Sequence, residues 1–136
     1  MKRKKWEKPK IEHLKPTKWN WVVSYPENLK LGNNVDIGAF TYIQAQEGVI
    51  IEDNVKIGSH CSIYSVSTID NKKGKVVLRK NCKIGSHSVI MPGVEIGENV
   101  VVPAFSFVPA FYSTSFIFFI PHNHCRQSKK RGKNLH

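Results

Sequence analysis

A chain of 136 residues with 21 Lys/Arg, 10 Asp/Glu and three Cys has the length of a single domain with a modest core. Its net charge of +11 makes no nucleic-acid footprint: residues 1–30 carry nine Lys/Arg against three Asp/Glu, residues 126–136 five against none, and residues 31–125 seven of each. The odd cysteine count supplies no disulfide framework, and the basic N-terminus lacks the apolar run of a secretory leader, so a reduced, cytoplasmic protein is expected.

Residues 1–30 form a basic extension. Within it WNWVVSYP has the composition of a strand leading into the first regular unit, and Trp19 and Trp21 are placed to plug the end of that unit or to touch a neighbouring subunit. From Leu31 the chain falls into steps of six. First positions are Leu31, Ile37, Ile43, Ile51, Ile57, Ile63, Leu78, Ile84, Ile90, Ile96, Val102 and Val108, all aliphatic. Fifth positions are Val35, Thr41, Val55, Cys61, Ser67, Cys82, Ser88, Val94, Val100 and Ser106, with Glu47 the one large charged exception. Gly follows the aliphatic at 32, 38, 58, 85 and 97.

An aliphatic side chain every six residues fills a narrow prism, a small residue four places on fits where the wall bends, and Gly permits close packing. Three walls close one turn of 18 residues, the step from Leu78 to Ile96. Successive turns stack as parallel strands about 4.8 Å apart. Two irregularities interrupt the count: two extra residues around Val49 and Ile50, and the polar, lysine-rich stretch 69–77, IDNKKGKVV, which reads as a loop thrown outward. After Val108 the six-residue step stops. Residues 109–136 turn aromatic-apolar and then basic, with Phe111, Phe116, Phe118 and Phe119 near the open end of the stack. No charge occurs between Glu98 and Arg126, but Pro103, Pro109 and the Ser/Thr at 113–115 interrupt the stretch, so no membrane span is expected.

IEDNVKIGSHCSI at 51–63 is restated as LRKNCKIGSHSVI at 78–90. The register puts His60 and His87 on the same wall of adjacent coils, stacked near a corner and outside the aliphatic interior, with Phe40 and Phe105 as their counterparts in the outer coils. Imidazole takes up a proton at physiological pH, so both are candidates for a general base; corner residues of a solvated surface are the competing reading. A metal is another use for stacked histidines, and His122, His124 and Cys125 are ligand-type residues in the tail.

The pattern over about residues 31–108 resembles the hexapeptide-repeat acyltransferases, and KIGSHSVIMPGVEIGENVVVPAFSFV is similar to the I-G-x-x-x-x-I-x-P-G-V-x-I-G stretch of their sugar O- and N-acetyltransferases. The resemblance implies an all-β fold, a left-handed parallel β-helix of about four coils with the loop at 69–77 and irregular basic termini. It implies a homotrimer in which acetyl-CoA lies in a groove between subunits and gives its acetyl group to a hydroxyl or amine of a sugar or nucleotide-sugar. By resemblance Ser86 and Ala104 contact the coenzyme, and Gln44 stands where a polar residue holds the sugar. Where galactoside-type members carry their catalytic His this chain has Thr68, which leaves His60 as first choice for the base and His87 as second. Lys72, Lys73 and Arg79, with Lys75 and Lys80, are the expected partners of the coenzyme phosphates. Alternatives are a catalytically degenerate trimeric scaffold and a metalloprotein like the gamma-type carbonic anhydrases; the expectation is an enzyme without a resident metal.

Overall fold

The structure is a computed structural model and describes residues 5–109. Every strand of the coils runs parallel to its neighbours, in three stacks. The first wall is built of Leu29–Leu31, Val49–Ile51, Val76–Leu78 and Glu95–Ile96. The second holds Asp36–Ile37, Lys56–Ile57, Lys83–Ile84 and Val101–Val102. The third holds Val22–Ser24, Tyr42–Gln44, Ser62–Tyr64, Val89–Ile90 and Phe107–Val108. Leu78 pairs with Ile96, Ile84 with Val102 and Ile90 with Val108, so the last full turn is 18 residues on each wall. This is a left-handed parallel β-helix of about four coils.

Eleven of the twelve first-position aliphatics are buried in one cluster, and Leu31 is half-buried against it. The period of six works because each wall is too short to hide more than one large side chain. The ladder Ile43, Ile63, Ile90 and Val108 runs the length of the interior.

The corner between the second and third walls is tied by polar groups. Thr41 Oγ1 donates to the Gly58 carbonyl at 2.8 Å, Cys61 Sγ to the Gly85 carbonyl at 3.2 Å and Ser88 Oγ to the Pro103 carbonyl at 3.0 Å. Each of these three fifth-position side chains thus satisfies a carbonyl of the next coil. Cys61 is a donor there as well as a small filler.

At the corner between the third and first walls the structure departs from the expected register. Glu47 is exposed and Ser67 half-buried; Val49 and Val76 take the interior places aligned with Val94. Both irregularities precede the fifth position instead of following it. In coil two the chain leaves as a hairpin, Val66–Ser67 antiparallel to Lys72–Lys73, and is back in the wall by Val76. Of the 69–77 stretch, Val76 and Val77 are therefore core strand. The helix also begins earlier than Leu31, since Val22–Ser24 pairs with Tyr42–Gln44 and Leu29–Leu31 is already first wall. Trp21 is buried beneath the first coil and Trp19 is 38% exposed, so Trp21 is the plug. The tail phenylalanines from Phe111 onward lie outside the described residues.

Burial pushes the Cys82 thiol up to about 12, with the nearby Glu52 carboxylate adding to the effect. A raised thiol stabilises the fold below its ordinary value of 9.0 and progressively less as pH climbs toward 12, because the unfolded chain ionises first. Chemical denaturation at pH 8 and pH 10.5 should show a loss on the order of 2 kcal/mol from this group. That part of the pH slope disappears in Cys82→Ala, and an unchanged slope would contradict it.

Candidate functional site

The expected site residues fall into three groups at three corners. His60, His87, Ser86 and Ala104 share the corner between the second and third walls. Gln44 ends its strand at the far edge of the third wall, where the hairpin carrying Lys72 and Lys73 leaves the coil. Arg79 follows Leu78 at the remaining corner.

The duplicated histidines have a conformational cause. Residues 40, 60, 87 and 105 all take left-handed backbone, with φ of 65°, 56°, 60° and 60°. Histidine is enriched in that region, and a bulky residue such as Phe is unusual there. Asn34, Asn54, Asn81 and Asn99 meet the same demand at the next corner, with φ between 58° and 62°. The rings form one exposed ladder. His60 and His87 are stacked with centroids 4.7 Å apart and planes 4° apart, His87 and Phe105 are 4.9 Å and 7° apart, and Phe40 lies tilted against His60 at 5.1 Å. Beside them Ser86 is half-buried and Ala104 exposed on successive rungs, above tightly packed Gly58 and Gly85.

The second cluster is a cleft of about 530 Å³ between the third wall and the hairpin. Tyr42, Gln44, Tyr64 and Met91 face it from the wall, and Ser67, Thr68 and Asp70 from the hairpin. Gln44 is held in place: its Oε1 accepts from Ser65 Oγ at 2.8 Å and from the Gln46 N–H at 3.2 Å. Tyr42 donates to Ser24 Oγ at 2.9 Å, and its ring meets Tyr64 edge-on at 6.0 Å. Asp70 is the one ionisable carboxylate lining the cleft. Sequence reasoning named Gln44 and Thr68 here and missed Tyr42, Tyr64, Asp70 and Met91. Alternation along the short third-wall strands, inward at Ile43 and Ile63 and outward at 42, 44 and 64, carried the signal.

Ser65 is fully buried and also accepts from the Glu47 N–H at 3.0 Å. Ser65→Ala strands that N–H and frees Gln44, and should cost about 1–3 kcal/mol. Ser65→Thr, which keeps the hydroxyl, should recover part of that loss in a urea melt; equal stability of Ala and wild type would contradict this role.

Arg79 is committed elsewhere. Its Nε lies 2.9 Å from Glu95 Oε2 and its Nη1 3.1 Å from Glu52 Oε2, and these hydrogen bonds, Glu95 first, push its pKa further up. A guanidinium bracketed by two carboxylates clamps neighbouring coils together. Lys72 and Lys73 are exposed on the hairpin. A larger cavity of about 780 Å³ lies under the N-terminal segment between Trp6, Trp19 and Trp21, and none of the expected site residues reaches it. Among the described residues no three His, Cys, Asp or Glu side chains converge as metal ligands, and no helix is long and apolar enough to cross a membrane. His122, His124 and Cys125 lie outside the described residues.

The repeats themselves match known families. A family model described as bacterial transferase hexapeptide (six repeats) matches residues 75–110, and one described as hexapeptide repeat of succinyl-transferase matches residues 48–69. The chain carries hexapeptide repeats of the kind these two models describe. This hexapeptide-repeat protein is 29% identical over 109 residues to a serine acetyltransferase of Buchnera aphidicola, covering 77% of this chain and 41% of that protein. It is 37% identical over 70 residues to a UDP-3-O-acylglucosamine N-acyltransferase of Christiangramia forsetii, covering 51% of this chain and 19% of that protein. The hexapeptide-repeat chain thus spans about two fifths or less of the length of these relatives. Its fold is similar to AntD, an N-acyltransferase from Bacillus cereus solved with dTDP and 3-hydroxybutyryl-CoA. The TM-score is 0.58 and the identity 22%, covering 88% of this chain and 87% of that one.

Proposed function

We propose that this protein transfers an acyl group from an acyl-coenzyme A thioester, acetyl-CoA by family resemblance, to a hydroxyl or amine of a sugar or nucleotide-sugar. The observation that carries the reading is the third wall: the cleft around Gln44 occupies one edge, and the small-residue corner of Ser86 and Ala104 with its exposed imidazoles occupies the other. His60 and Tyr64 lie four positions apart along the third wall, about 13 Å of extended chain, so the edges of one subunit stand apart. In the homotrimer that the family resemblance implies, the ridge of one subunit meets the cleft of the next. The reading has further support in the acyltransferase relatives and in AntD, a point mutant of which was solved with dTDP-4-amino-4,6-dideoxyglucose and coenzyme A.

The chemistry needs few groups. The acceptor's oxygen or nitrogen attacks the thioester carbonyl, an imidazole takes the acceptor's proton, and backbone N–H groups at the corner face the developing oxyanion. Collapse breaks the C–S bond, and coenzyme A leaves as its thiol. Gln44 positions the acceptor, and Lys72 and Lys73 offer positive charge to the coenzyme phosphates.

Ligand that binds only the folded state raises the melting temperature. Saturating acetyl-CoA should therefore shift the thermal transition of the full chain upward. No shift with any acyl-CoA favours the catalytically degenerate scaffold.

A further inference from the structure

We propose that the doubled Lys-Ile-Gly-Ser-His rung, Lys56–His60 against Lys83–His87, is a binding site for a nucleoside diphosphate group.

The two lysines are direct partners on adjacent strands of the second wall, so their backbones lie about 4.8 Å apart. Both are exposed, and among the described residues neither lies within ion-pairing distance of a carboxylate. Like charges directly opposite one another destabilise a sheet. Asp36 is the partner of Lys56 on the coil-one side and leaves the row with a net positive charge. An arrangement that costs stability at rest is relieved by an anion with two adjoining charged centres, and ammonium groups bind phosphate as point charges.

The same two rungs add neutral donors. Ser59 and Ser86 are half-buried at the corner, and their backbone N–H groups donate to no other group among the described residues. The polar set stops on both sides. Coil one carries Asp36, Ala39 and Phe40 at these places, and coil four carries Val101, Ala104 and Phe105. The site is therefore two rungs tall and bounded by phenylalanines that are 64% and 77% exposed. Exposed aromatic faces near a row of lysines are what a nucleobase stacks on. The duplicated sequence is thus explained beyond the left-handed turn at its histidines: Lys, Ser and His recur together only where two coils must act on one ligand.

That ligand has two sources under the acyl-transfer reading, on which only its identity rests: the adenosine diphosphate part of coenzyme A, or the diphosphate of a nucleotide-sugar. A sugar joined to a diphosphate held here extends toward the imidazoles at the adjoining corner.

The test is isothermal titration of the full chain with coenzyme A, dTDP and pantetheine, comparing wild type with the double variant Lys56→Gln/Lys83→Gln. Both substitutions are on the surface, and thermal melts confirm folding. A Lys8→Gln/Lys10→Gln variant removes the same charge from the N-terminal segment. The expected result is at least a tenfold loss of affinity for coenzyme A or dTDP in the rung variant alone, with pantetheine unaffected; the ligand that loses affinity identifies the source. Wild-type affinity of both ligands for the rung variant, an equal loss in the Lys8/Lys10 variant, or no binding of either by wild type overturns the site. Failure of the two readings is separable. Acyl transfer at unchanged KM in the rung variant removes the site and keeps the enzyme, whereas rung-dependent binding without transfer keeps the site and removes the enzyme.

Discussion

Gly85→Ala should be among the most damaging single-methyl changes in this protein. A Cβ there would sit 2.3 Å from the Ala104 nitrogen, 2.6 Å from its Cα and 2.7 Å from the Pro103 carbonyl carbon. All three atoms are backbone of the next coil, so no rotamer change relieves the contact, and the rung above must lift. Overpacking of a kind that relaxes costs about 1–3 kcal/mol; with only backbone to move, a loss of about 3 kcal/mol or more is expected, a fall of roughly 10 °C in melting temperature for a domain of this size. Gly97→Ala supplies the contrast. Its Cβ would meet only Val100 Cγ2 at an ordinary 3.5 Å, and a surface-type change of about 0.5 kcal/mol or less is expected. Chemical denaturation of the two variants side by side checks both. Equal stability would mean that the coils do not approach one another through their glycines.

The second large effect concerns chemistry. His60→Asn should lower the acyl-transfer rate by about 10²–10⁴, the usual contribution of a positioned general base, while coenzyme binding and the melting temperature stay near wild type. Asn is the proper replacement because the corner needs left-handed backbone, φ 56° at His60, and Asn already occupies the equivalent turn at 34, 54, 81 and 99. His60→Ala would mix a backbone penalty of about 1–2 kcal/mol with the loss of the imidazole. His87→Asn reports on the second ring of the stack. Steady-state rates for the pair assign the base, and unchanged turnover in His60→Asn removes that residue from the mechanism.

The interior was legible in the sequence because a prism wall has room for one large side chain, and the rule repeats without reference to distant contacts. Ile43, Ile63 and Ile90 could be placed by counting alone. The stacking of His60 on His87 followed from the same count. What counting lacked was the side of the fifth position on which an insertion falls: Glu47 and Ser67 stand in the numbered place, but Val49 and Val76 fill the space, since the chain turns out before it turns back in. The ion pairs of Arg79 were hidden for a different reason. Its carboxylate partners Glu52 and Glu95 come from the coils on either side, 27 and 16 residues away, and nothing in LRKNCK announces them. The cleft escaped notice because it exists only where the hairpin folds against the third wall. The recurring Asn and His mark the left-handed turns, a backbone need before a catalytic one, and that meaning emerged only from the backbone angles.

The most direct measurement is thiol release. The purified full chain is incubated with acetyl-CoA or a longer acyl-CoA, with and without an amino- or hydroxy-nucleotide-sugar, and free coenzyme A is followed against time alongside the mass of the sugar. Acceptor-dependent thiol release matched by the mass gain of one acyl group is the predicted result. Release that ignores the acceptor, or none across a panel of donors and sugars, would contradict acyl transfer by this protein and leave the coils a scaffold.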